Sequence, residues 1–66
     1  MSSKEYLESI GFACMLLRMK LNMTQREVAE NLDLSPSSIS RFENGENDSA
    51  TILLWYIRHG LDWRVL

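Results

Sequence analysis

The sequence predicts an all-α fold, a compact bundle of four to five short helices. Apolar residues recur at spacings of three and four along much of the chain, which is the period of an amphipathic helix. Residues that favour helix starts precede several of these stretches. The 66 residues are 45% hydrophobic and 24% charged, without repeat or linker, so we expect a single domain over 1–66. So small a domain is marginally stable alone, and dimerisation would add burial.

The first predicted helix is long. Ser2 and Glu5 are spaced as a capping box, and residues 1–9 are expected to form an N-terminal helical extension. Asn22 is expected to end the helix. The residues at helical spacing that we expect to face the core are Leu7, Ile10, Cys14, Leu17 and Leu21.

The middle of this helix, residues 12–17, is apolar nearly all round. Six residues are far too few to span a bilayer, and no basic start with a cleavage site precedes them, so we expect neither a membrane span nor a signal peptide. One side is expected to lie in the core. The alternative for the other side is contact with a protein partner through Phe12, Met15, Leu16 or Met19.

The second predicted helix has a complete start signal. Thr24 is its expected N-cap, and Glu27 three residues later forms a capping box with it. Met23 and Val28 flank this box as a hydrophobic staple. Only residues 31–34 separate this helix from the next one, so the chain must reverse sharply. Either Asn31 or Asp33 can tolerate the left-handed conformation that such a turn requires.

The third predicted helix begins at Ser35 as N-cap with Pro36 in the first helical position, where its missing N–H costs nothing. Leu34 and Ile39 are expected to form its staple. The tight turn packs this helix on the second one, and the small Ala29 avoids a collision. The residues expected to face the shared core are Val28, Leu32, Ile39 and Phe42.

The other side of the third helix has no apolar residue to bury. Ser37, Ser40, Arg41 and Asn44 share it, with Pro36 and Ser38 at its leading edge. Such a side predicts a polar reading surface. Residues 24–43 are therefore interpreted as a helix-turn-helix, which presents its second helix to the major groove of DNA.

The last part of the chain predicts a fourth helix, capped by Asp48 or Ser49 and running to about His59, with Gly60 as its stop. Residues 61–66 then carry more apolar side chains than one small domain easily hides. We expect a dimer contact through Trp63, Val65 and Leu66. The alternatives are simple core packing and a chain cut from a longer repressor.

The chain resembles the Cro and phage-repressor type of helix-turn-helix, the XRE family, from Ile10 to Leu66. The matching elements are Arg18, Met23-Thr24-Gln25, Val28-Ala29, Leu34-Ser35, Ile39-Ser40 and Phe42-Glu43-Asn44-Gly45. The resemblance implies a lambda-repressor-like DNA-binding domain in which Gln25 bonds a phosphate, the outward residues of the third helix read bases, and Asn44 approaches the DNA backbone. The residues expected at the DNA are Thr24, Gln25, Arg26, Pro36, Ser37, Ser38, Ser40, Arg41 and Asn44.

The resemblance also implies an ion pair between Arg18 and Glu43, which the spacing supports independently. Glu43 lies four residues after Ile39, so its carboxylate leans toward the buried edge of the helix. A carboxylate there is costly without a cationic partner. Arg18 is the expected partner.

Three features depart from a strong DNA-binding pattern. The formal net charge is −2, Asp33 stands where glycine is common in the turn, and Glu46-Asn47-Asp48 follows where basic residues often touch phosphate. Those acids must point away from DNA or the affinity will be modest. Serines discriminate bases weakly, so only Arg41 offers a sharp contact to guanine.

Enzyme, metal and cofactor functions are not expected. The single Cys14 excludes a disulfide framework and favours a reducing, cytoplasmic compartment. His59 has no Cys or His cluster around it for a metal, and no acid pair or nucleophile with its base is found. We expect a homodimeric repressor or autoregulator of phage or mobile-element type, prokaryotic or phage, that binds an inverted repeat in double-stranded DNA. The alternative is an antitoxin-like module that binds a protein partner, with subsidiary DNA binding.

Overall fold

The computed structural model describes residues 3–62, 64 and 66. Within these residues the fold is all-α, as predicted, and no helix is long and apolar enough to cross a membrane. At 18 residues α1 is the long first helix that the sequence predicted. The four helices of the described residues are α1 (Ser3–Lys20), α2 (Gln25–Leu32), α3 (Pro36–Glu43) and α4 (Ala50–Arg58).

Both predicted start signals of the helix-turn-helix are present. The Thr24 hydroxyl accepts from the Glu27 N–H at 3.1 Å, and the Glu27 carboxylate accepts from the Thr24 N–H at 3.0 Å. The Ser35 hydroxyl accepts from the Ser38 N–H at 3.3 Å, with Pro36 in the first turn of α3. Local hydrogen bonds therefore fix where both helices begin.

The turn between α2 and α3 resolves the alternative that the sequence left open. Asp33 takes the left-handed conformation, with φ 56° and ψ 45°, and its N–H bonds back to carbonyl groups of α2. Asn31 stays inside α2 and donates its side-chain amide to the Glu27 carbonyl at 2.8 Å. The short aspartate side chain thus does what glycine would otherwise do in this turn.

Two further boundaries follow similar rules. Ser49, rather than Asp48, caps α4, with its hydroxyl accepting from the Ile52 N–H at 3.3 Å. At the end of α1 the prediction for Leu21 is wrong, because its side chain is 38% exposed. The helix ends at Lys20 and the following turn passes through left-handed Asn22, which takes Leu21 off the buried helical face.

The core lies between α1, the helix-turn-helix and α4. Leu32, expected in this core, is half-buried, and Leu34, expected to pack on Ile39, is 39% exposed. From α4, Tyr56 stacks on Phe42 with ring centres 6.2 Å apart, and Trp55 meets Tyr56 edge-on. The buried apolar residues are Ile10, Cys14, Val28, Ala29, Ile39, Phe42, Ile52, Trp55, Tyr56 and Leu61.

Two glycines let α1 lie directly against the end of α3. A methyl group on Gly11 would lie 2.5 Å from the carbonyl oxygens of Phe42 and Glu43, closer than atoms can approach. Gly45 has φ 76°, and a methyl group there would lie 2.8 Å from the backbone of Glu8. The N-terminal part of α1 therefore borders the loop that follows α3.

Three residues that the sequence analysis singled out lie outside the described residues: Ser2, Trp63 and Val65. Leu66, the third member of the expected dimer contact, is 40% exposed. Its backbone carbonyl accepts a hydrogen bond from the hydroxyl of Tyr6 on α1. The dimer contact itself stays a prediction.

Candidate nucleic-acid interface

The outer side of α3 is polar and accessible. Pro36, Ser37, Arg41 and Asn44 are exposed, and no core residue of α3 lies among them. Packing of Ile39 and Phe42 on the rest of the bundle fixes which side of α3 stays outside. Ser38 and Ser40 are half-buried, so they offer less of their side chains to a ligand than the sequence analysis expected of this surface.

The serines at the start of α3 bond to one another. The Ser35 hydroxyl lies 3.0 Å from the hydroxyl of Ser37 and 3.0 Å from that of Ser38. Because each hydroxyl can donate or accept, this cluster can rotate its protons to suit a phosphate or a base edge. The same freedom makes it a weak discriminator of sequence.

Arg41 on α3 and Arg26 in the first turn of α2 are the exposed arginines of the two motif helices. Both side chains are exposed, and among the described residues neither makes a side-chain hydrogen bond or an ion pair. An arginine without an internal partner can present its planar fork of donors to a guanine edge or a phosphate. Arg41 on α3 and Arg26 on α2 are thus accessible for the contacts that the sequence suggested.

Behind this face, Glu43 joins all four helices. Its carboxylate accepts from the Arg18 guanidinium at 2.8 Å (Nε to Oε2) and 3.1 Å (Nη2 to Oε1), so the ion pair expected from the sequence is present and bidentate. The Gln25 amide donates to Oε1 at 3.1 Å, and the Tyr56 hydroxyl donates to Oε2 at 2.7 Å. Each carboxylate oxygen therefore accepts two hydrogen bonds.

Burial and bonding act in opposite directions on Glu43. Burial raises its pKa, but the bonds from Arg18, Tyr56 and Gln25 outweigh burial and hold the pKa below the ordinary value. For Tyr56, burial and the bond to Glu43 raise the pKa, which keeps its hydroxyl protonated as a donor. The carboxylate therefore stays charged while enclosed, with a side chain only 3% exposed.

Arg18 also ties α1 to the start of the helix-turn-helix. Its Nη1 donates to the Met23 carbonyl at 2.9 Å, directly before the Thr24 cap. One guanidinium thus holds both ends of the motif, through Met23 before α2 and Glu43 at the end of α3. The relative position of α2 and α3 is fixed by a charged group as well as by apolar packing.

The Gln25 side chain is less exposed than that of a residue that contacts only DNA. It is half-buried, and one N–H of its amide is bonded to Glu43 rather than free in solvent. The second N–H of the same group makes no hydrogen bond to the described residues, so it remains available for an acceptor. The resemblance implies a phosphate contact for Gln25 and does not indicate this bond inside the protein.

Tyr56 and Gly11 were missed as well. Both had a signal: Tyr56 is a polar aromatic in an apolar helix, and such a buried hydroxyl needs a partner. Gly11 stands in mid-helix, where glycine costs about 1 kcal/mol relative to alanine and usually has a packing reason. The sequence does not show which residues Tyr56 and Gly11 pack against.

The loop after α3 carries the acids that argued against tight binding. Glu46 and Asp48 are both exposed, and between them the Asn47 side chain accepts from the Ser49 N–H at 2.7 Å. Among the described residues no group of three or more His, Cys, Asp or Glu side chains is placed to hold a metal ion.

A comparison with protein families gives an independent result. The family model described as Helix-turn-helix matches residues 15–54, which is more than half of the chain and includes all of α2 and α3. Neither the curated proteins nor the solved structures contain a match to the chain. The matched family is one of DNA-binding regulatory domains and not of enzymes. The chain belongs to the helix-turn-helix family, as a DNA-binding transcriptional regulator of the Cro and repressor (XRE) type.

Proposed function

We propose that the protein is a homodimeric repressor or autoregulator, of phage or mobile-element type, that binds an inverted-repeat operator in the prokaryotic cytoplasm. The observation that carries this proposal is the polar outer side of α3, where Arg41 is exposed and has no partner among the described residues. A two-fold pair of such domains sets its reading helices about 34 Å apart, one turn of DNA. Each helix then reads one half of the inverted repeat.

The contacts divide into positioning and reading. Gln25, Thr24, Arg26 and Asn44 are assigned to phosphates, which set the register of the protein on the duplex. Arg41 is assigned to the O6 and N7 atoms of a guanine, the base edge that suits its two parallel donors. The remaining reading residues, whose contacts are weaker, are Pro36, Ser37, Ser38 and Ser40.

The charge of the chain determines how much of the affinity for the operator must come from specific contacts. With a formal net charge of −2 and exposed Glu46 and Asp48 beside α3, non-specific attraction to DNA is weak. Replacing both acids by their amides, Glu46→Gln with Asp48→Asn, should raise affinity for operator and unrelated DNA alike. Binding titrations at several salt concentrations measure this, and unchanged affinity would mean that the loop lies away from phosphate.

The proposed two-fold contact is the C-terminal segment 61–66, through Trp63, Val65 and Leu66. Its support is the apolar character of these residues and the 40% exposure of Leu66. Sedimentation equilibrium of the parent protein and of Leu66→Asp tests this. We expect the variant to dissociate at concentrations where the parent is a dimer, and equal association would place the contact elsewhere.

The reading assignment is tested by selecting duplexes from a random pool with the parent, Arg41→Ala and Gln25→Ala. Loss of the Arg41 contact should cost about 1–3 kcal/mol on the selected operator and relax one base pair in each half-site. Loss of Gln25 should weaken all sequences equally. If Arg41→Ala selects the same operator with the same preference, α3 does not read the operator as proposed.

The second candidate function is an antitoxin-like module that binds a protein partner. It is favoured by α1, where Phe12, Leu16 and Met19 share a face and are 55%, 49% and 57% exposed. Met15, the fourth residue expected there, is half-buried. Two results together would favour this function over the repressor. The parent protein would select no preferred duplex, and its solubility would depend on a partner. In Leu16→Glu that dependence on the partner would be lost.

A further inference from the structure

We infer that Tyr56 is a positioning residue for DNA binding, which acts through Glu43 on the Gln25 amide. This inference rests on the proposed phosphate contact of Gln25. Tyr56 lies on α4 and is fully buried, so it touches no DNA itself. Among the described residues its hydroxyl has one hydrogen-bond partner, the Glu43 carboxylate, while its ring packs on Phe42 of α3.

The chain of contacts is short and continuous. The Tyr56 hydroxyl donates to Glu43 Oε2 at 2.7 Å, and the Gln25 amide donates to Glu43 Oε1 at 3.1 Å. The two oxygens belong to one rigid planar group. A rotation of that group moves the acceptor that Gln25 uses.

The chemistry of Glu43 also selects which end of the Gln25 amide faces it. A carboxylate only accepts hydrogen bonds, so it takes the NH₂ end and excludes the amide oxygen. The second N–H of that nitrogen is then held close to the start of α2. A phosphate oxygen likewise only accepts, and the amide nitrogen can donate to both groups at once.

Arg18 alone does not fix the carboxylate in this way. Its fork defines the plane of the ion pair, with bonds of 2.8 Å and 3.1 Å on the side of α1. Tyr56 approaches from α4 and bonds the oxygen opposite to the one that Gln25 uses. The carboxylate is thereby held from a second direction, which removes its freedom to swing away from Gln25.

The consequence is a pre-oriented phosphate donor. In water a glutamine side chain samples many rotamers, and binding must select one of them at an entropic cost. A Gln25 amide already held by Glu43 loses less freedom when it meets phosphate. Without the Tyr56 hydroxyl the amide is less ordered, and affinity falls equally for every DNA sequence.

The test is a double-mutant cycle on DNA affinity with Tyr56→Phe and Gln25→Ala. Tyr56→Phe keeps the ring in the core and removes only the hydroxyl. We expect it to weaken binding to selected and unrelated duplexes alike by about three- to tenfold, the range of one hydrogen bond. In the Gln25→Ala background the same substitution should have no effect. Thr51→Val, which removes an exposed hydroxyl from the same helix as Tyr56, is the matched control and should leave affinity unchanged.

A second readout needs no DNA. The side-chain NH₂ resonances of Gln25 in the free protein should shift on Tyr56→Phe and stay unchanged on Thr51→Val. Unmoved Gln25 resonances in Tyr56→Phe, or a loss of affinity that persists in the Gln25→Ala background, would overturn the inference while leaving the proposed function standing. A folded parent that binds no duplex at all would overturn the proposed function instead.

Discussion

The Arg18–Glu43 pair allows the sharpest stability prediction. In Arg18→Met the apolar stem is largely kept and the guanidinium is lost. Glu43 then retains two of its four hydrogen bonds, from Gln25 and Tyr56, inside a site where its side chain is 3% exposed. The Met23 carbonyl also loses its donor.

The expected cost follows from burial. Breaking a buried pair by removing one partner costs about 3–5 kcal/mol, because the remaining charge is enclosed without compensation. A domain of 66 residues has a total stability of roughly 3–10 kcal/mol. Since about 1 kcal/mol shifts the midpoint of so small a domain by about 4–8 °C, we expect a fall of at least about 12 °C or complete unfolding.

Thermal unfolding followed by circular dichroism measures this, with Arg64→Ala as the matched control. Arg64 pairs with Asp62 at 3.0 Å, but these side chains are 76% and 47% exposed. Such a pair contributes little, so the control should melt with the parent. An Arg18→Met protein with the melting temperature of the parent would refute the claim that this buried pair holds the motif together.

Three other outcomes follow from burial and close packing. Gly11→Ala forces a methyl group to within 2.5 Å of backbone oxygens on α3, so it should lower the free energy of unfolding in urea by about 1–3 kcal/mol. The control Ser9→Ala, on the exposed side of α1, should leave that free energy unchanged. The pKa of Glu43 is held below its ordinary value of 4.5, so its charged carboxylate stabilises the fold fully above that pH, and this stabilisation is lost as pH falls through the lowered pKa. The free energy of unfolding should therefore fall less steeply with acid in Glu43→Gln than in the parent. An equal slope in the two proteins would contradict this. Burial, with a smaller effect of Glu43, raises the pKa of Cys14 to about 12 and its side chain is 0% exposed, so a thiol reagent at pH 8 should label native protein only as fast as it opens.

Local signals predicted the helix-turn-helix well because its boundaries depend on residues within four positions of one another. The Thr24 and Glu27 box, the Ser35 cap and the left-handed turn at Asp33 each follow from short-range hydrogen bonding and backbone sterics. The same reasoning failed at Leu21. Helical spacing places it with the core residues, but the chain had already left the helix at Lys20.

The interior of the site could be predicted only in part. The resemblance and the position of Glu43 together indicated Arg18 as its partner, but the bonds from Gln25 and Tyr56 join residues 18 and 13 positions away. Periodicity places each of these residues on a helical face and is silent on which faces meet. The close approach of α1 at Gly11 is likewise a property of helix packing.

The central claim, that this protein reads an operator of its own, is tested most directly on the DNA upstream of its own gene. Fluorescence anisotropy against excess unrelated duplex, at two salt concentrations, would compare the parent with Arg41→Ala. We expect sequence-dependent binding by the parent with a shallow salt slope, of about −0.9 per phosphate neutralised, and a loss of preference in Arg41→Ala. Equal binding of the parent to upstream and unrelated DNA would contradict it.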